Sequence, residues 1–208
     1  AGGALAGTDA LLPRARDAAE RSGDAWAASR LTVQLGTMHA GGPDPAGGLD
    51  LIDRAAAQAE KAGDVGGLIH ALGIGAVLAC AINRTNRGRA YLAALERHDL
   101  TGYLHGYLVA QARAMEAGMS GRHAEAVATI EASLADSPPA PRTGLLLMLG
   151  SQATFLGDAA LADRAVVLLP PPHERGLWDP AVAGLMASQA LLHGDREGLV
   201  RGARAAHR

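Results

Sequence analysis

Cysteine, lysine and aromatic residues are all scarce in this chain. One cysteine, Cys80, among 208 residues excludes an internal disulfide framework and a cysteine-rich zinc site. Aromatics make up only 3%, too few for a ring-packed β-sandwich or for a nucleic-acid surface built on base stacking. A single lysine stands beside 18 arginines, and the formal net charge is −2, so no excess of positive charge marks a direct nucleic-acid binder. Charged residues reach 19%, short of what keeps a chain swollen and disordered. No segment alternates apolar and polar residues with β-branched enrichment for long enough to read as a strand. The first ten residues lack a basic stretch leading into an apolar run, so no secretory signal is read there and a cytoplasmic location is expected.

What the chain has is alanine and leucine, 46 and 29 residues respectively. Runs of helix formers, broken by Gly and Pro, predict helices over 9–22, 24–40, 45–62, 65–83, 86–98, 101–118, 122–136, 142–156, 158–169, 179–193 and 195–206. The dipeptide Gly-Asp recurs at Gly23-Asp24, Gly63-Asp64, Gly157-Asp158 and Gly194-Asp195. Each closes one helical run and opens the next. Glycine can take the left-handed conformation that ends a helix, and aspartate can cap the free amides of the following one. Asp44-Pro45 and Asp179-Pro180 read as further starts, with proline at the first helical position.

A longer period overlies these junctions. Leu35-Gly36, Leu72-Gly73, Arg113-Ala114, Leu149-Gly150 and Met186-Ala187 recur at spacings of 37, 41, 36 and 37 residues. A small residue there would let helices approach closely. Two helices per period of this length are the mark of a helical solenoid. The expected architecture is all-α, with about five antiparallel pairs near 24–62, 65–98, 101–136, 142–169 and 179–206. Helix 9–22 is then left over from a preceding repeat, and residues 1–208 form one repeat domain.

The segment Gly121-Arg122-His123-Ala124-Glu125-Ala126-Val127-Ala128-Thr129-Ile130-Glu131-Ala132-Ser133-Leu134 resembles the second helix of a tetratricopeptide repeat. Ala126, Ile130 and Ser133 match its small, large and small packing positions, and Pro138 its closing proline. Leu149-Gly150 with Ala153 and Gly157 resembles the first helix of the next repeat. The first-helix tryptophan of that family is missing, and the 41-residue spacing and the loop from Pro170 to Leu177 are irregular. The resemblance implies a right-handed superhelix. Two segments, Glu96-Arg97-His98-Asp99-Leu100-Thr101-Gly102-Tyr103 and Ser188-Gln189-Ala190-Leu191-Leu192-His193-Gly194-Asp195, carry a narrower likeness. They resemble the C-terminal helical sensor region of large ATP-binding LuxR-type transcriptional regulators, and the Ala-rich repeats with 18 arginines against one lysine resemble those of high-GC actinobacteria.

Chemistry is hard to find by motif. No HExxH, phosphate loop or nucleophile elbow is present, and no cofactor or metal is expected. Residues 65–82 carry no formal charge and are long enough to suggest a membrane span. Four alanines, four glycines and His70 dilute that run, and it reads instead as a buried repeat helix. Cys80 reads as a small core residue. Ala126, Val127, Ile130 and Leu134 form a helical core stripe. Trp26 and Trp178, each just after a break, read as packing wedges. The arginine groups Arg84, Arg87, Arg89 and Arg196, Arg201, Arg204, Arg208 read as solvated faces.

Tyr103, Tyr107 and Gln111 lie one turn apart on one face of a first helix. The tetratricopeptide resemblance places first helices along a concave surface. There these three residues, with His70, Met115, Arg142 and Ser151, would meet a peptide, a small effector or a protein partner. The functional expectation is a non-enzymatic sensor or interaction module, implied by resemblance to be part of a transcriptional regulator, with oligomerisation open. A free-standing adaptor is the alternative. An enzyme would need an acid–base pair, and His98, Asp99 and His105 are the densest polar set available for one.

Overall fold

In the computed structural model, residues 3–40, 42, 44–98, 103–171 and 179–206 are described, apart from the side chains of 3–10, 103–106, 140, 179 and 180. Among them every regular element is a helix: α1 Gly3–Ser22, α2 Ala25–Ala40, α3 Pro45–Ala62, α4 Val65–Ala81, α5 Thr85–Leu95, α6 Tyr103–Met119, α7 His123–Leu134, α8 Pro139–Leu156, α9 Ala159–Val167, α10 Asp179–Leu192 and α11 Arg196–Ala206. None of these helices is long and apolar enough to cross a membrane.

The sequence places all eleven, with two notable shifts. Helix α1 begins at Gly3, not residue 9, and carries Pro13 in its interior; the helix-forming stretch ahead of Pro13 continues despite the amide hydrogen bond that proline lacks. Helix α8 begins at Pro139, three residues before the expected start. There the proline occupies the first turn, where its fixed φ suits the helix and no amide partner is lost.

The Gly-Asp junctions have one geometry. At Gly63 the backbone turns left-handed, with φ 68°, a region open to glycine at little cost. The Asp64 amide then donates to the Ala59 carbonyl at 2.9 Å, and the Gly63 amide to Glu60 at 3.0 Å, satisfying two carbonyls at the end of α3. The Asp64 carboxylate in turn accepts from the Gly67 amide at 2.8 Å, which caps α4. Asp24, Asp158 and Asp195 cap Ala27, Leu161 and Gly198 in the same way, each at 2.9 Å. Asp44 caps Gly47 at 3.0 Å, with Pro45 at the first helical position. Two further junctions follow the same backbone path without the dipeptide. Asn83 (φ 60°) and Gly121 (φ 78°) take the left-handed position, and the next amides, of Arg84 and Arg122, reach back to Ala79 and Ala117 at 2.7 and 2.8 Å. Neither arginine makes a side-chain cap.

The chain divides into two compact units, residues 1–112 and 113–208. The first has a core of Val33, Leu49, Ile52, Ile69, Leu72, Tyr91, Leu95 and Val109 with the alanines between them. In the second, Ile130, Leu145, Leu146, Leu149, Leu161 and Leu185 pack with Ala114, Ala126, Ala153 and Ala162. Within the first unit α2 touches α4 as well as α3, and within the second α10 touches both α8 and α9. Helix α4 is buried as the sequence suggests, and nine of its residues, Cys80 included, are buried. The stripe of α7 is likewise core: Ala126 and Ile130 are fully buried.

Small residues set how near the helices come. A methyl group on Gly73 would stand 3.1 Å from Leu108 Cβ, and one on Gly150 would run into Leu185 Cδ1. Each glycine therefore receives a leucine from the helix two places on, at the same offset in sequence. Gly36, expected to share this role, differs. Its neighbours are Ile52 and the Gly48 carbonyl on α3, the latter 2.9 Å from an added Cβ. Gly48 lies against Gly36 and Ala40, just as Gly88 lies against Ala76 and Cys80. The packing thus equates Gly36 with Ala76, not with Gly73. Several small residues compete for the alignment in a chain so rich in them, and only the contacts choose between them.

Candidate functional site

The seven residues of the expected groove fall in two units and are taken unit by unit. In the first, Tyr107 is half-buried, and burial pushes its phenol above the usual range. Gln111, one turn on, is only 8% exposed. His70 is half-buried on α4. The Tyr103 side chain lies outside the described residues. In the second unit, Met115 packs against the core cluster. Ser151 is exposed on α8 and its hydroxyl donates to the Leu147 carbonyl at 3.0 Å. Arg142 is half-buried near the start of α8, with its Nε buried and without a hydrogen-bond partner among the described residues. Of the set proposed for an enzyme, His98 is half-buried after α5, and Asp99 and the His105 side chain lie outside the described residues. No group of three metal-binding side chains occurs among the described residues.

Trp26 corrects the sequence reading. It is no packing wedge: it is 59% exposed, with the Arg30 guanidinium 5.3 Å above its ring. Its position in the first turn of α2 points it away from the core, and a cation over its face replaces burial. Trp178 lies outside the described residues.

Polar chemistry concentrates where alternate helices face each other. Arg87 on α5 donates to Asp50 and Asp53 on α3 at 2.9 and 2.6 Å. Tyr91, one turn on, is 6% exposed and donates its hydroxyl to Asp53 at 2.5 Å and to the Leu49 carbonyl at 3.3 Å. Burial and the Asp53 carboxylate push the Tyr91 phenol well above its ordinary range, against the opposing pull of Arg87. Arg87 is thus held between two acids and is not the freely solvated arginine the sequence suggests. Arg54 on α3 stands 3.8 Å from Glu20 on α1, and Arg164 on α9 pairs with Glu131 on α7. Sequence reasoning missed Asp50, Asp53 and Tyr91. The only available signal was the separation of the two aspartates from Arg87, 37 and 34 residues, with Tyr91 one turn past it.

A second cluster surrounds the α6–α7 junction. Glu116, 8% exposed, pairs with Arg122 and accepts the Ser120 hydroxyl at 3.0 Å. His123 Nδ1 meets Gln152 Oε1 at 2.8 Å, and its ring stacks on Phe155 at 5.3 Å. Phe155, the one phenylalanine of the chain, is 69% exposed.

A concavity of about 540 Å³ in the second unit lies along α10 and α11. Ala183, Met186 and Ala190 give it an apolar floor, and Gly198 and Gly202 keep its α11 wall low. Gln189, His193, Asp195 and Arg201 supply its polar groups. Asp163 of α9 accepts from Gln189 Nε2 at 2.7 Å and meets His193 Nε2 at 2.8 Å. These two bonds, Gln189 first, hold its carboxyl below the usual range. A volume of this size with a few convergent polar groups suits a small ligand or a short peptide. In comparison with known proteins, the chain matches no family model, no curated protein and no solved structure.

Proposed function

We propose that this chain is a non-enzymatic, tetratricopeptide-like binding module of about five helix pairs that acts as the sensor segment of a LuxR-type transcriptional regulator. Its ATPase and DNA-binding parts would lie outside the sequence. The observation that carries the repeat reading is the offset shared by Gly73 with Leu108 and Gly150 with Leu185, one contact made twice along the chain. In such an array stability is a sum of neighbouring interfaces, so an occupant that fits one arrangement better than another shifts the packing of its neighbours. The mechanism is differential binding by clefts and first-helix faces. Tyr107, Gln111 and Arg142 are the half-buried or buried polar side chains offered to a ligand on those faces.

The test is the size of the native polypeptide, read by immunoblot of source cells with antibody to this chain. A regulator with an ATPase and a DNA-binding domain requires a band of about 100 kDa on domain-size grounds. A band near 21 kDa, the mass of this sequence, would overturn the regulator reading and leave an adaptor in its place.

A further inference from the structure

Helix α10 has the composition of an interior helix. From Pro180 to Leu192 it carries no charged residue, and in this it matches α4, nine of whose residues are buried. A helix that is apolar on every side is ordinarily covered on every side. Two sides of α10 are covered within the second unit. Leu185 meets Gly150 of α8, and Ala187 and Ala190 meet Gly202 and Gly198 of α11. A third side stands open. Leu191 is 54% exposed, and a methyl group added to Gly184 would meet nothing within 4 Å. Leu191 follows Gly184 by two turns of helix, so the two share one face. Ser188 between them is small and half-buried.

We propose that this face of α10 pairs with the same face of a second copy of the chain, the two helices running antiparallel about a twofold axis between Ala187 and Ser188. A twofold contact must fit itself: where one residue meets another, the second meets the first. Here the axis sets Leu191 of each copy over Gly184 of the other, and the small side chains of Ala187 and Ser188 at the crossing let the backbones come near. The chain already makes this kind of contact internally. Leu185 of α10 occupies the hollow at Gly150 of α8, and Leu108 of α6 stands on Gly73 of α4 in the same way. Helix α10 continues that series of interfaces outward, with a hollow of its own at Gly184 and a leucine to fill the hollow of its copy. Charge also favours a copy over a charged partner. A twofold axis brings like charges together, and this face has none. With 14 residues, α10 is about 21 Å long, so the contact belongs to the small, reversible class. The inference goes beyond the sensor reading and does not rest on it.

The experiment is sedimentation velocity of this chain from about 5 to 500 µM, the range in which a contact this small associates. The parental chain should pass from monomer to dimer as concentration rises. Gly184→Leu fills the hollow and should raise the dissociation constant by about tenfold or more. Within one chain the new side chain enters open space and replaces a poor helix former by a good one. The melting temperature, followed by circular dichroism, should therefore hold or rise while the dimer weakens, which separates a lost contact from a damaged fold. Leu191→Glu should weaken the dimer to a similar degree. Val167→Glu removes a more exposed apolar side chain, 80% exposed on α9, and should leave association unchanged. A chain that stays monomeric throughout the range would overturn the proposal. So would a dimer that survives both Gly184→Leu and Leu191→Glu, or one that Val167→Glu weakens equally.

Discussion

Replacing Gly63 by alanine isolates the cost of a left-handed helix stop. The position has φ 68°, and a Cβ added there meets nothing within 4 Å. No steric clash contributes, so the penalty is that of the backbone alone. A left-handed conformation costs an L-residue about 1–2 kcal/mol, and the stiffer unfolded chain offsets this by about 0.4–1 kcal/mol in the other sense. A net loss of about 1 kcal/mol follows. With a urea slope of roughly 1–3 kcal/mol/M, the unfolding midpoint should fall by about 0.3–1 M at unchanged slope. Gly157 has the same φ and the same open surroundings, so Gly157→Ala should reproduce the loss. The chain contains its own control: Asn83 already sits at φ 60°, so Gly63→Asn should cost less than Gly63→Ala. An undiminished midpoint, or an asparagine no better tolerated than alanine, would refute the reasoning. A loss above about 3 kcal/mol would point to a steric clash of the kind seen in overpacked sites.

Gly150→Ala should instead be limited by packing: its methyl meets Leu185, the loss should reach about 1–3 kcal/mol, and pairing it with Leu185→Ala should cost less than the sum of the two single changes, as read by urea unfolding. Asp163 should titrate by NMR below ordinary aspartate, and Gln189→Ala should bring it upward; because the folded value is the depressed one, its contribution to stability is present above the unfolded value and fades as pH falls through the folded one. At alkaline pH, Tyr91 and Tyr107 should ionise late in a 295 nm titration, since burial raises both. Their contribution is full below pH about 10 and is lost as pH climbs through the folded values, and Tyr107→Phe should delete one late step. Asp64→Ala should cost about 1 kcal/mol through the lost cap on α4, seen as faster amide exchange at Gly67 and in the first turn of that helix.

The parts legible in the sequence are those whose physics is local. A glycine stop followed by an aspartate cap is decided within nine residues, Ala59 to Gly67 at the second junction, so four junctions could be placed before any contact was known. The Gly121-Arg122 and Asn83-Arg84 turns use the same path without a capping side chain, and arginine gives no signal for it. Side-chain partnerships 34 and 37 residues apart were not legible. Arg87 has Glu125 at a comparable separation on its C-terminal side, and only the crossing of α5 over α3 selects Asp50 and Asp53. Trp26 differs for a related reason: its place just after a break suggests a packing wedge, but the outward side of α2 and the nearby Arg30 decide its position. The spacing of Tyr107 and Gln111 reads as a contact stripe, and their burial depends on neighbours that no spacing rule names.

The junction turns also bear on how such a chain can lengthen. Each carries both the stop of one helix and the start of the next, and all its hydrogen bonds close within a few residues of the glycine. A duplication event cut between such a glycine and its aspartate would copy a segment whose ends are already chemically complete. No new loop would have to be invented to splice it in. What the copied segment would still need is a leucine to fill the hollow left by a glycine in its neighbour. Growth by copying would therefore be cheap at the turns and selective at the faces, at the residues that fill those hollows.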